Sequence, residues 1–543
     1  MERHTLDLLT SYRENFVALR SLKPAAFAAG LVKCPDKEFV NKIVTDVAQG
    51  VRIGYTGPRE SRTCVNWPSV QQFEPQVRAS IEKDVSLGRK LGPFLCPPCA
   101  DFIASPLGAF QKRSSGKVRV VHDLSYPRGR SVNDFVSREE CSVQYLSMDS
   151  VVSAVKKFGR NALLAKADLS DAYHHVLVHP DDWSLLGSVY ICEDGTVLYY
   201  VSTVLPFGLS PAPAKFTDIA IASKLIMLYG GASYIDQYLD DFITMGPAGS
   251  SECQSNLGIM LETFQRLGFS VNPQKVSKEP TTVLEFLGIV IDTNLLQLRI
   301  SKDRLDAVME ELLQWKSRTS AKKRNILSLI GKLTFVSRVV RSGRTFVRRL
   351  IDTAKKAKHL HHSVRLSKAF QADIDWWLEY LPQWNGVSVF FDDLWISNTD
   401  MDLFTDASDL AVAGYFKGDW FVLPASKAQS INWRELYAVV VAAATFGQHW
   451  TGKRIVFHCD NMCVVHVLCS GTSKNVALMN LVRRLFYIAA MYQFECRAQY
   501  INTHANSTAD SLSRYQWDIF HRVAPNASPV MTSPVLLGEG LDM

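Results

Sequence analysis

ALLAKADLSDAYHHVLV, residues 162–178, and SYIDQYLDDFITMG, residues 233–246, are the stretches on which the fold turns. In the first, an apolar strand-like run ends at Asp168, with Asp171 three residues later. In the second, two apolar runs flank Tyr238-Leu239-Asp240-Asp241, which predicts a strand–turn–strand hairpin with the acids at its tip. Adjacent carboxylates on a tight turn repel, and a third from a neighbouring strand makes this worse. The arrangement becomes favourable if hard cations sit among the acids, because magnesium takes carboxylate oxygens together with substrate phosphates. Two such ions about 4 Å apart activate an attacking hydroxyl and stabilise a departing oxygen, which is the requirement of nucleotidyl transfer. Singly, an Asp-Asp turn is ordinary solvated turn chemistry and Asp171 a helix cap. The combination and order carry the reading.

A second set of acids follows in the last third of the chain. Asp406 ends a strand pattern in MDLFTDAS, Glu435 opens a helix in NWRELYAVVVAAATFG, Asp460 ends a strand in KRIVFHCDN, and Asp510 lies near a helix start in NSTADSLSR. One such acid alone reads as a cap or a surface group. Four carboxylates drawn from separate elements into one site would hold two metal ions.

Outward from these stretches, composition sets the frame. The 543 residues predict roughly three to four folding units. With 47% hydrophobic and 21% charged residues, each can bury a core. A net charge of +7 permits a polyanionic partner without requiring one. No apolar run is long enough for a membrane span, and the charged N-terminus is not a signal peptide. The 11 scattered cysteines fit a reduced protein inside the cell, in cytoplasm or nucleus, and Cys96-Pro-Pro-Cys99 lacks the second pair that a zinc site needs. Basic residues concentrate in 316–358, including Lys322, Lys323, Arg324, Arg338, Arg341, Arg344, Arg348 and Arg349, on two amphipathic helical patterns. The cluster His359, His361, His362 lacks acidic or thiol companions and reads as surface.

The ordered motifs KVRVVHDLS (117–125), ADLSDAYHHV (167–176), LPFGLSPAPAKF (205–216), YLDD (238–241), GFSVNPQK (268–275) and EFLGIVID (285–292) resemble the successive motifs of retroelement reverse transcriptases. SPLGAF, SVNDF and HPDDWSLLG bring the resemblance close to DIRS-type retrotransposons, which pair this enzyme with a tyrosine recombinase. TDAS, the REL helix, the CDN strand end and ADSLSR are similar to the four acidic stations of ribonuclease H.

The resemblance implies an α/β and α+β multidomain chain. Residues 1–91 would be an N-terminal extension, 92–291 the fingers and palm of a right-hand polymerase, and 292–397 thumb and connection with basic helices. A ribonuclease H-like domain at 398–515 and a flexible tail at 516–543 would follow. It also implies roles: Asp168 and Asp240 as main metal ligands with Asp241 supporting, and Arg119, with Lys117, holding the incoming triphosphate. Asp171 marks where backbone meets the triphosphate, Tyr173 is the gate against a ribose 2′-hydroxyl, Phe207 and Gly208 lie near nucleotide and template, and Lys275 protonates pyrophosphate. Asp406, Glu435, Asp460 and Asp510 would hold the metals of the second site, two Mg2+ or Mn2+ ions in each. His504 stands nearest to the ribonuclease H loop histidine, in a shorter stretch, a solvated loop histidine being the other reading. The implied partners are an RNA template, a DNA primer, an RNA–DNA hybrid and dNTPs, together with an element-encoded recombinase. Neither a membrane partner nor an oligomeric state is indicated. An RNA-dependent RNA polymerase, a non-catalytic nucleic-acid scaffold and a stand-alone nuclease remain as alternatives.

Overall fold

The computed structural model describes residues 7–111, 116–384, 386–392, 394–396, 398–471 and 473–535. The chain divides into two compact units, Met1–Leu284 and Glu285–Met543.

In the first unit, the strands Leu163–Asp168 and Ile235–Tyr238 flank Asp241–Gly246 in an antiparallel three-stranded sheet. Two helices, Ala212–Tyr229 and Glu252–Leu267, support it. Cys253, Leu257, Met260, Phe264 and Leu267 recur at helical spacing and are all buried, which fixes the inward face of the second helix. That helix stops at Gly268, whose φ of 94° closes the last turn. Phe242, Phe264 and Phe269 pack edge to face beneath the sheet.

The Pro- and Gly-rich stretch from Gly92 to Pro106 supplies strands. Lys90–Phe94 and Ile103–Ala104 join Arg62–Thr63, Gly187–Ile191 and Val197–Ser202 in a five-stranded sheet. Pro93 is tolerated because it falls within the register shift between Leu91 and Phe94. Residues 7–91 are woven into this unit. Lys23 N–H donates to Leu267 C=O, Val51 pairs with Val178, and Arg52 and Arg59 both reach the buried Asp182 carboxylate. A hairpin of Leu107–Gln111 and Val118–His122 projects Arg119.

The second unit opens with the antiparallel strands Ile289–Asp292, Gln297–Arg299 and Val387–Val389, and the helices Lys302–Lys316, Lys323–Val336, Arg348–Lys355 and Lys368–Trp384. Of the basic cluster, Lys322, Arg324, Arg338 and Arg348 are exposed. Arg349 instead turns inward to Asp373 at 3.5 Å, and Lys323 donates to Ala357 C=O, so neither is a free surface cation. The side chains of Arg341 and Arg344 lie outside the described residues.

Beyond residue 400, the meander Leu403–Ala407, Ala411–Phe416, Asp419–Pro424 lies beside the parallel strands Trp395–Ile396, Arg454–Cys459 and Glu495–Tyr500. The helix Ile431–Phe446 is apolar on nearly every side, as a helix enclosed in the core must be, and Val439–Ala443 are fully buried. The stretch QWNGVSVFFDDLWISNTD contributes the strands Val387–Val389 and Trp395–Ile396. The tail departs from expectation. Trp517–Val523 is a helix whose Phe520 is completely buried against Tyr415 and Trp420, and Ser528 and Thr532 N–H groups donate to Gly418 and Trp420 carbonyls. Burial of this one large aromatic side chain is enough to seat the segment. Residues 536–543 lie outside the described residues.

Candidate active sites

The first site sits at the end of the three-stranded sheet. Antiparallel register sets Asp241 directly opposite Asp168, and the hairpin turn between Tyr238 and Asp241 holds Leu239 and Asp240. Directly opposed residues stand about 4.5–5.5 Å apart at Cα, so like charges there destabilise the pair. Leu239 takes φ of 55°, a conformation that costs a β-hairpin leucine about 1–2 kcal/mol and that usually calls for glycine. That strain marks a turn shaped for something other than stability.

Burial and mutual repulsion weigh on these acids. Burial raises the Asp240 carboxyl, with Asp168 adding to it, while Asp241 is pushed up to about 6 by burial and then by Asp240 and Asp168. Asp168 is 4% exposed and anchored from three directions. Its C=O accepts from Asn272 N–H, Asn272 Nδ2 stands 3.5 Å from Oδ1, and Lys275 Nζ donates to Oδ2 at 2.7 Å. The hydrogen bond to Asp168 raises Lys275. Lys275 is thus seated on the carboxylate cluster itself.

Around the acids stand the other candidates. Arg119 lies over the Phe207 ring at 5.7 Å, and Lys117 is exposed at the head of the same strand. Tyr173 packs its ring against Phe207 and Phe216 at 5.3 and 5.6 Å, and burial, with Tyr145 and Asp240 nearby, pushes its hydroxyl up to about 12. Gly208 has φ of 112°, and a Cβ there would fall 1.9 Å from His122 O. Only glycine permits that approach. Asp171 adopts a left-handed φ of 49° and pairs with Arg89 at 2.9 Å. Burial raises this carboxyl, but Arg89 outweighs burial and holds it below the usual range. Arg89 and Asn272 escaped the sequence reading. Arg89 comes from a stretch without recognisable chemistry, whereas Asn272 lies inside the quoted GFSVNPQK.

The second site lies wholly in the second unit and gathers four acids. Asp406 on Leu403–Ala407 and Glu435 in the second turn of Ile431–Phe446 are buried; Asp460 follows Arg454–Cys459, and Asp510 lies on Ser507–Ser513. Asp406 is fixed by Ser513 Oγ, donating at 2.6 Å, and by Asn506 Nδ2 at 3.3 Å. Thr503 Oγ1 donates to Asp460 at 2.9 Å, and Arg514 Nε donates to Asp510 at 2.7 Å. Burial lifts Asp406 to about 7 against the Ser513 hydrogen bond, with Asp460 and Asp510 adding repulsion. Burial, Asp406 and Asp460 lift Glu435 to about 9. Ligand atoms of Glu435 and Asp460 lie within 4.8 Å of one another, and the Asp406 carboxylate is bonded from Ser513, three residues after Asp510. His504 is exposed, one residue from the Thr503 that holds Asp460. Ser513 and Asn506 lie in the NSTADSLSR motif quoted for Asp510, and Thr503 adjoins His504, so proximity in sequence was their only signal.

Residues 110–291 match the family model described as reverse transcriptase (RNA-dependent DNA polymerase). The first site thus belongs to a reverse transcriptase domain of the retroelement and viral polymerase type. The chain is 26% identical over 170 residues to Protein P of duck hepatitis B virus (strain China), covering 31% of this chain and 20% of that one. It is 21% identical over 394 residues to the enzymatic polyprotein of Cestrum yellow leaf curling virus, covering 68% of this chain and 56% of that protein. It therefore spans only part of the length of these relatives. Among solved structures, the foamy viral protease–reverse transcriptase dRH in complex with ds DNA matches with a TM-score of 0.49 at 13% identity, covering 92% of this chain and 83% of that one.

Proposed function

We propose that the chain is an RNA-directed DNA polymerase whose second site cleaves the RNA strand of an RNA–DNA hybrid, in the service of retroelement replication. The observation that carries this reading is the strand register that opposes Asp168 and Asp241 beneath the Asp240 turn, within the matched segment. The fingers and palm then correspond to 92–291, thumb and connection to 292–397, and the ribonuclease H-like domain to 398–515.

The donor sets suit hard divalent cations. Three half-buried or buried carboxylates at the first site and four at the second supply only oxygen, and burial, with repulsion from neighbouring acids, raises Asp240, Asp241, Asp406 and Glu435. Asp168, Asp240 and Asp241 would hold one pair of Mg2+ or Mn2+ ions, and Asp406, Glu435, Asp460 and Asp510 another. Such ions, when bound, activate an attacking oxygen and neutralise charge on the leaving one.

The protein's own groups do the rest. Arg119, steadied on Phe207, presents a guanidinium fork to the incoming triphosphate, and Lys117 adds charge beside it. Arg89 pins Asp171 in its left-handed turn, which holds the following backbone for the phosphates. The Tyr173 ring, held against Phe207 and Phe216, would act as the gate against a ribose 2′-hydroxyl and so select dNTPs. Lys275 orients Asp168 through its 2.7 Å hydrogen bond and would act as the acid for pyrophosphate. Exposed Lys322, Arg324, Arg338 and Arg348 grip the RNA template, DNA primer and hybrid by their phosphates. Ser513, Asn506 and Thr503 orient Asp406 and Asp460 for cleavage. Within this class, SPLGAF, SVNDF and HPDDWSLLG favour a DIRS-type element, with a recombinase as partner inside the cell.

Extension of oligo(dT) on poly(rA) with dTTP tests the reading. We expect synthesis that requires Mg2+ or Mn2+ and stops on chelation. A folded protein that extends nothing with either ion would return the chain to the scaffold alternative.

A further inference from the structure

Beside the four acids of the second site lies a sulfur ligand that magnesium does not favour. Cys459, 1% exposed, points its Sγ at Glu435 Oε2, 3.9 Å away, and the ligand atoms of Glu435, Cys459 and Asp460 all lie within 4.8 Å of one another. Among the described residues this is the only group of three or more such side chains that converges so closely. Magnesium has little use for sulfur, whereas thiolate ligands select zinc and its softer relatives. Zinc–sulfur and zinc–oxygen bonds of about 2.3 and 2.1 Å at a tetrahedral angle put sulfur and oxygen about 3.6 Å apart. The observed 3.9 Å is close to that bite.

Two further features point to a ligand. Glu435 is 5% exposed, and no lysine or arginine forms an ion pair with it among the described residues. Asn506, fully buried, donates Nδ2 to Thr405 C=O and to Asp406, the neighbouring acid of this cluster, and leaves Oδ1 without a hydrogen-bond partner.

We propose that Glu435, Cys459 and Asp460 form a site for a thiophilic divalent cation of the zinc class, whose occupancy excludes the hard ions from the four-carboxylate cluster. On binding, the Cys459 thiol gives its proton to solvent and the sulfur becomes the third protein ligand, leaving the fourth position to water. The inhibitory consequence rests on the nuclease reading above; the binding site does not.

The test is a titration of the full-length chain with Zn2+, and with Cd2+ as a spectroscopic probe of thiolate ligation. Wild type should bind one Zn2+ at least about tenfold more tightly than Cys459→Ala or Cys459→Ser, and only wild type should gain this site's cadmium–thiolate absorption. Glu435→Gln should also weaken binding, which keeps the test open should a cysteine variant misfold. Equal Zn2+ affinity in wild type and folded Cys459 variants overturns the proposal, whatever the exposed Cys96, Cys463 and Cys469 contribute to both. In parallel, RNA cleavage in Mg2+ should fall with added Zn2+ in wild type and resist it in Cys459→Ala. Cys459-dependent Zn2+ binding without any cleavage in Mg2+ would retain the metal site and remove the nuclease.

Discussion

Asp168 and Asp241 face each other across an antiparallel strand pair, one at the end of its strand and the other at the start. Hydrogen-bond register fixes this relationship, because a slip of one residue would send one carboxylate to the opposite face. The sheet thus holds two like charges together, and Asp240 on the strained turn brings a third.

The gate should be separable from the chemistry. Tyr173→Ala should admit ribonucleotides, while Tyr173→Phe, which keeps the ring against Phe207 and Phe216, should still exclude them. Incorporation of dTTP against UTP opposite rA measures this. Unchanged sugar selection in the alanine variant takes Tyr173 out of the role.

At Gly208 the constraint is steric. Gly208→Ala must clear the 1.9 Å approach to His122 O and accept φ of 112°, at a cost of about 1–3 kcal/mol for the backbone strain alone. Thermal unfolding should show the loss, together with reduced extension. A variant as stable as wild type would mean that the His122 strand moves freely.

The second cluster should couple stability to pH. Asp406 and Glu435 titrate near 7 and 9 when folded, far above their unfolded values near 4. The folded state therefore binds more protons through this window. Its extra stability is complete below about pH 4 and drains away as pH rises through 7 and 9. Ions that favour the ionised carboxylates should oppose the loss, so Mg2+ should raise the melting temperature more at pH 8.5 than at pH 6. Glu435→Gln should flatten the metal-free profile. A pH-independent melting curve in chelator would contradict the convergence of these acids.

The tail is testable by truncation of one side chain. Phe520→Ala removes a fully buried ring from between Tyr415 and Trp420 and should cost about 3–5 kcal/mol. Denaturant unfolding of the full chain reads it, and a cost below about 1 kcal/mol would restore the flexible tail.

How legible the sites were follows from what each residue depends on. Asp168, Asp240, Asp406 and Asp460 stand at strand ends that apolar runs announce, so local pattern located them. The turn at Leu239 was legible for the same reason. Arg89 was not, because its partner Asp171 is distant in sequence and an arginine ending a polar stretch resembles any solvated cation. Ser513, Asn506 and Thr503 act through single hydrogen bonds that composition does not encode. The strand Lys90–Phe94 is broken by Gly92 and Pro93 and Val387–Val389 is only three residues long, and both are ordered by partners far along the chain, so tertiary pairing overrides weak local propensity. Phe520 is legible only as a hydrophobic residue, since its pocket is built by another segment.

The most direct measurement compares wild type with Asp240→Asn and Asp460→Asn for primer extension on RNA and for cleavage of an RNA–DNA hybrid, both in Mg2+. Loss of even an outer partner of a metal ligand costs about 10- to 100-fold, so losing a ligand should cost more than about 100-fold. Asp240→Asn should abolish extension and leave cleavage intact, and Asp460→Asn should do the reverse. Extension at the wild-type rate by folded Asp240→Asn would contradict the account.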